Sequence, residues 1–134
     1  MSDGASRGPA VPDPETLHRC ITTSDWWVAN ERRPSSAAFR HPKFSADIAS
    51  MANAQQTLDR MVAGGCDARS GIVGFSAKEA RALSYNPHQE PDLQFPENEA
   101  HANVYCDLPK SQMKKRAQEL RTICTVVIPP TFQT

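Results

Sequence analysis

Between Gly71 and Leu83 the hydrophobic pattern changes period. Ile72-Val73-Gly74-Phe75 is a continuous apolar run, as expected of a short strand buried on both faces. From Ser76 onward the apolar positions spread out to Ala80 and Leu83, one face of a helix. Ser76 and Glu79 have the spacing of a reciprocal capping box, in which each side chain takes the other residue's backbone amide. A strand that runs straight into a capped helix needs a sheet, so other segments must supply strands.

Leu17 to Thr22 alternates, with Leu17, Arg19 and Ile21 on one face and His18 and Cys20 on the other. His101 to Cys106 does the same, setting Ala102, Val104 and Cys106 against His101, Asn103 and Tyr105. Thr125 to Ile128 reads as a closing strand, and Leu93 with Phe95 as an edge strand in a stretch otherwise rich in Pro, Asn and acids. Asn53, with Gln56 three residues on, caps a helix to about Ala63 with the stripe Leu58, Met61 and Val62, and Gly64-Gly65 ends it. Pro109 suits the first turn of a last helix whose stripe is Met113, Ala117, Leu120 and Cys124. Of the adjacent tryptophans Trp26 and Trp27, one belongs to the core and the other covers its edge. Phe39 and Phe44 anchor the polar loop around Arg33, and Ser45 and Asp47 read as turn or cap residues. Residues 1–14 form a disordered tail with almost nothing to bury, and 131–134 fray. The expected fold is α+β: a single small domain over residues 15–130, with four or five short strands in a mixed sheet and about three helices.

At 134 residues with a 39% apolar fraction, a core needs no covalent staple. Basic and acidic residues balance at 15 each, so no overall field draws the chain to nucleic acid or a membrane. Locally the balance breaks. Glu31 to Lys43 holds Arg32, Arg33, Arg40 and Lys43 against one acid, whereas Asn86 to Glu99 holds only acids. Cys20, Cys66, Cys106 and Cys124 lie far apart with no metal-ligand spacing, and the polar amino terminus is not a secretory leader. Reduced, structural cysteines, no metal and a cytoplasmic location are expected. No apolar run approaches the roughly 20 residues of a membrane span.

Three places carry candidate chemistry. Arg33, Ser35 and Ser36 could grip a phosphate and a ribose, or could simply make a turn with Pro34. His101, following Glu97 and Glu99, could face a cleft as a general acid or base, or could be a half-buried histidine bonded to a carbonyl. Arg19 lies among Leu17 and Ile21 and needs an anionic partner, either a ligand or a carboxylate such as Asp47 or Glu79. The last helix carries Lys110, Lys114, Lys115, Arg116 and Arg121 against Glu119, but no aromatic residue interleaves them to stack bases. Nucleic-acid binding through it ranks behind a solvated face.

Leu17-His18-Arg19, Arg33-Pro-Ser-Ser-Ala-Ala-Phe39, Ser45-Ala-Asp47, Gly71-Ile-Val-Gly-Phe75 and Ala100-His101-Ala102, in this order, resemble a family of short uncharacterised bacterial proteins. In that family R-x-S-S-x-A-F, S-x-D and N-P-A-H-A recur, and Glu99 stands here where the last motif has proline. More remotely, the strand arginine followed by a serine loop is similar to RES-domain and other ADP-ribosyltransferase-like toxins. That resemblance implies an NAD-binding or NAD-consuming protein of a toxin or defence system. Arg19 would hold the NAD phosphate, Ser35 or Ser36 the ribose, and Glu97 or Glu99 would be the acid. The alternative is a non-catalytic adaptor whose partner is a protein encoded nearby.

Overall fold

A computed structural model describes residues 7–93 and 97–132. The strands are β1 (Thr16–Ile21), β2 (Trp27–Val28), β3 (Arg33–Pro34), β4 (Lys43–Ile48), β5 (Gly71–Ser76), β6 (Tyr85–Gln89), β7 (His101–Cys106) and β8 (Thr125–Ile128). The helices are α1 (Ala54–Ala63), α2 (Ala77–Ala82) and α3 (Lys110–Ile123). Six strands form one sheet in the order β6-β7-β4-β1-β5-β8, while β2 and β3 make a separate two-stranded ribbon. The α+β class is as expected. The strand count is higher than expected, and the large sheet is antiparallel at every pairing rather than mixed.

The apolar core fills one face of this sheet. Leu17, Ile21, Phe44, Ala46, Val73, Phe75, Val104 and Cys106 point into it, and Met113, Ala117 and Leu120 of α3 close it. Phe44 stands at its centre, with ring centroids 5.8 Å from Phe39, 6.3 Å from Phe75 and 5.7 Å from Tyr85. These tilted and edge-on pairs add about 0.5–1.5 kcal/mol each beyond burial. The Tyr85 hydroxyl donates to Phe39 O at 3.0 Å, so the one polar atom of that buried ring is satisfied. Both expected capping boxes form, at Ser76/Glu79 and at Asn53/Gln56.

Three sequence expectations need correction here. Within the segment read as a disordered tail, residues 7–14 pack on the domain, and residues 1–6 lie outside the described residues. Val11 is 1% exposed and donates to Pro87 O at 3.0 Å, while Ala10 bridges to His88. One well-placed apolar side chain and an unpaired sheet edge are enough to tie a terminus down. The edge strand is Tyr85–Gln89, and it contains Pro87. The Pro87 carbonyl points outward to Val11, so its missing N–H also faces outward and β7 loses nothing. Leu93 is 76% exposed, and Phe95 lies outside the described residues. Third, Ser45 and Asp47 belong to β4, whose alternation puts Phe44, Ala46 and Ile48 in the core.

α1 lies on the opposite face, over β1, β5 and β8. Its expected stripe of Leu58, Met61 and Val62 is only half-buried, and Thr57 is its one buried residue. The sheet face beneath it mixes Cys20 and Ile72 with His18, and the Thr57 hydroxyl makes its inner contact by donating to the buried Asp47 carboxylate. Where α1 reaches the β4–β7 half of that face only through Thr57 and Arg60, a cavity opens beside it.

Candidate active site

The antiparallel register brings Gly74 of β5, His18 of β1, Asp47 of β4 and His101 of β7 side by side in one row. Because side chains alternate, the row shares its face with Cys20 and Ser45 and turns away from the core. A Cβ on Gly74 would meet His18 Cδ2 at 3.3 Å, so the bare glycine leaves the imidazole its room. His18 is 8% exposed, and its Nδ1 is buried without a hydrogen-bond partner. Burial lowers its pKa, with the nearby Asp47 charge opposing in part, so the ring is neutral at neutral pH.

Asp47 anchors the site. Its Oδ1 accepts from Asn98 Nδ2 at 2.7 Å, and its Oδ2 accepts from Thr57 Oγ1 at 2.7 Å and from Arg60 Nη2. One buried carboxylate thus ties α1 and the loop before β7 to the middle of the sheet, and every contact helps to compensate its charge.

His101 is held at both nitrogens. Nδ1 lies 2.7 Å from Glu90 O, and Nε2 lies 3.0 Å from Ser45 Oγ. A carbonyl only accepts, so Nδ1 carries the proton of the neutral ring and Nε2 presents its lone pair to the Ser45 hydroxyl. The Glu90 carbonyl is itself held in place, because the Glu90 side chain accepts from Asn103 Nδ2 at 2.8 Å, from Gly8 N at 2.7 Å and from Tyr105 OH. Burial pushes the Glu90 carboxyl up, but these hydrogen bonds outweigh it and leave the pKa below its ordinary value. Tyr105, on the same face of β7 as His101 but beyond Asn103, is linked to it through Glu90.

The cavity in front of Ser45 and His101 measures about 270 Å³, with His18, Cys20, Arg60 and Met61 among its walls. Burial drives the Cys20 thiol up to about 12, so it stays protonated and is no nucleophile at neutral pH. All four cysteines are free. Among the described residues no group of three His, Cys, Asp or Glu side chains is arranged to hold a metal ion, and no helix is long and apolar enough to cross a membrane.

Of the other sequence candidates Arg19 also borders this cavity, and the rest lie elsewhere. Arg19 is 8% exposed, and its Nε and Nη1 donate to Ala38 O and Ser45 O, both at 3.1 Å. Its guanidinium carbon lies 4.6 Å from the Trp26 ring centroid and 4.7 Å from that of Phe44. The expected carboxylate partners are engaged otherwise, Asp47 with α1 and Glu79 in its capping box. β1 and β4 pair over only two positions, and Arg19 takes the Ser45 carbonyl left open where they separate. Burial pulls its pKa to about 10, which leaves it charged at neutral pH. Ser35 accepts from Ala37 N at 3.2 Å as the cap of a short 3-10 turn that contains Ser36, and Arg33 pairs with Val28 in the ribbon. Glu97 and Glu99 are exposed beside Asn98, at a neighbouring hollow of about 220 Å³ that also touches Arg60. His101 is thus the one expected site residue that meets the row, while Ser45, His18, Asp47 and Arg60 were missed. The alternation Phe44-Ser-Ala-Asp-Ile48 was the available signal for Ser45 and Asp47. Segments Leu17–Arg19, Ser45–Asp47, Gly71–Phe75 and Ala100–Ala102 build the row.

No protein-family model, curated protein or solved structure matches the chain.

Proposed function

We propose that the cavity is a hydrolytic or acyl-transfer site in which Ser45 is the nucleophile and His101 its general base. The observation that carries this is the chain Ser45 Oγ to His101 Nε2 to Glu90 O, at 3.0 and 2.7 Å. Nucleophile, base and a group that fixes the base's tautomer stand within hydrogen-bond reach, with a carbonyl in the third role. In the proposed step Ser45 Oγ attacks an acyl carbon while its proton passes to Nε2. The carbonyl electron pair moves onto oxygen and returns as the leaving group departs with that proton. Water then repeats the sequence on the acyl-serine and restores Ser45.

The NAD-consuming alternative has less to build on, because Arg19 and Ser35 already have backbone partners. A reducing, cytoplasmic setting, suggested by the four free thiols, belongs to the same proposal.

The test is labelling with a fluorophosphonate together with hydrolysis of p-nitrophenyl acetate. Ser45 is exposed, so Ser45→Ala should fold and lose the label. His101→Gln should slow labelling and turnover by about 10²–10⁴-fold, the usual contribution of a positioned base. If the hydroxyl–imidazole bond only braces the sheet, Ser45 will take no label, or will take it equally in His101→Gln.

A further inference from the structure

The uneven basic charge of the sequence has no part in the Ser45–His101 site. The fold gathers some of it elsewhere. Arg40 and Pro42, just before β4, meet Leu108, Lys110, Met113 and Lys114 around a second cavity of about 420 Å³. This cavity is on the α3 side of the molecule, away from the row on the opposite sheet face. Its floor is apolar. Met113 is 7% exposed and belongs to the core, and Leu108 packs against the core. Its rim is cationic, with Arg40, Lys110 and Lys114 and no carboxylate among the lining residues.

Several arginines elsewhere on the described surface pair with acids, although Arg32 and Arg33 do not. Arg7 pairs with Asp107, Arg81 with Asp13, Arg116 with Glu119 and Arg121 with Glu31. Among the described residues Arg40, Lys110 and Lys114 enter none of the ion pairs, and together they surround one cavity. Like charges around a low-dielectric floor repel one another, and an anion at the rim would relieve that repulsion. The positive end of α3, which begins at Lys110, adds to the same field. The aliphatic stems of the three cations extend the apolar wall, so the site suits a ligand with an apolar body and one anionic end.

We infer that this second cavity binds a small amphipathic carboxylate, its alkyl or aryl body on Leu108 and Met113 and its anion among Arg40, Lys110 and Lys114. The inference does not depend on the serine–histidine reading. The same chemistry could be offered by a free carboxylate or by an anionic lipid surface, and the geometry favours the free ligand because the apolar floor is recessed behind the charges.

The experiment uses octanoate below its micelle-forming concentration, followed by 1H–15N NMR shifts on the whole chain. Saturable shifts are expected at Leu108, Lys110, Met113 and Lys114, and they should weaken as salt screens the rim. Both lysines are exposed, so Lys110→Glu with Lys114→Glu should fold, which far-UV circular dichroism checks. That double variant should bind roughly tenfold more weakly or worse, a decade corresponding to about 1.4 kcal/mol. Three results would overturn the inference. One is the absence of saturable shifts, and another is shifts confined to other residues. The third is sedimentation with phosphatidylglycerol vesicles by a protein that ignores octanoate, which would make the patch a membrane-docking surface.

Discussion

Replacing Arg19 by methionine separates a structural arginine from a ligand-binding one. Arg19 sends two charge-assisted hydrogen bonds to backbone carbonyls, that of Ala38 belonging to a residue with no exposed surface. Such bonds contribute about 1.5–3 kcal/mol each, and buried carbonyls left without donors cost about 1–3 kcal/mol. Stacking on Trp26 and Phe44 adds about 0.5–2 kcal/mol per ring. Against this, methionine fills similar space and removes a charge whose desolvation costs several kcal/mol. The net expectation for Arg19→Met is a loss of about 2–4 kcal/mol, within the range of broken buried networks. In a chain of this length that lowers the melting temperature by on the order of 10 °C. Arg19→Lys keeps the charge but has no planar fork to reach both carbonyls, so it should fall between the two. The assay is the urea midpoint with its slope, which shows whether the unfolded state has also changed. An arginine held ready for a phosphate behaves differently: removing it leaves the unliganded protein as stable as before, or more so. A midpoint for Arg19→Met equal to the wild type's would therefore refute the structural role and restore the nucleotide expectation.

Two further outcomes follow from the buried titratable groups. The folded state lowers the His18 pKa, so the unfolded chain binds the proton more readily. Stability should be full above about pH 6.5 and fall as pH drops below it toward the folded value. Urea midpoints at pH 7.5 and pH 5 should converge in His18→Asn relative to wild type, and parallel losses in both proteins would contradict the assignment. The cysteines should react in the order of their exposure. Cys66, half-buried at the cavity wall, should label first, and Cys20 and Cys106, 5% and 2% exposed, last. Fewer than four thiols after denaturation without reductant would mean that disulfides form.

The signals legible in the sequence were local. Ser76 with Glu79 and Asn53 with Gln56 cap their helices within a single turn, and both boxes form. The alternation of His101 to Cys106 placed Ala102, Val104 and Cys106 in the core, and Met113, Ala117 and Leu120 form the buried stripe of α3. Each of these is decided by a period of two or by a helical turn, which neighbours along the chain are enough to set. What the residues around Pro42 concealed was a strand, because Pro, Ser and Asp together resemble a turn until the partners of β4 are known.

Tertiary structure alone decided the site. His18, Asp47, Gly74 and His101 are far apart in sequence, and they form a row only because β5, β1, β4 and β7 are neighbours in that order and register. A one-residue slip in any of these pairings would send part of the row into the core. The groups that complete it are hidden for a second reason. The Glu90 carbonyl orients His101, and the Ala38 and Ser45 carbonyls hold Arg19. Every residue has a carbonyl, so no amino-acid letter marks the one that a folded chain will aim at a particular side chain.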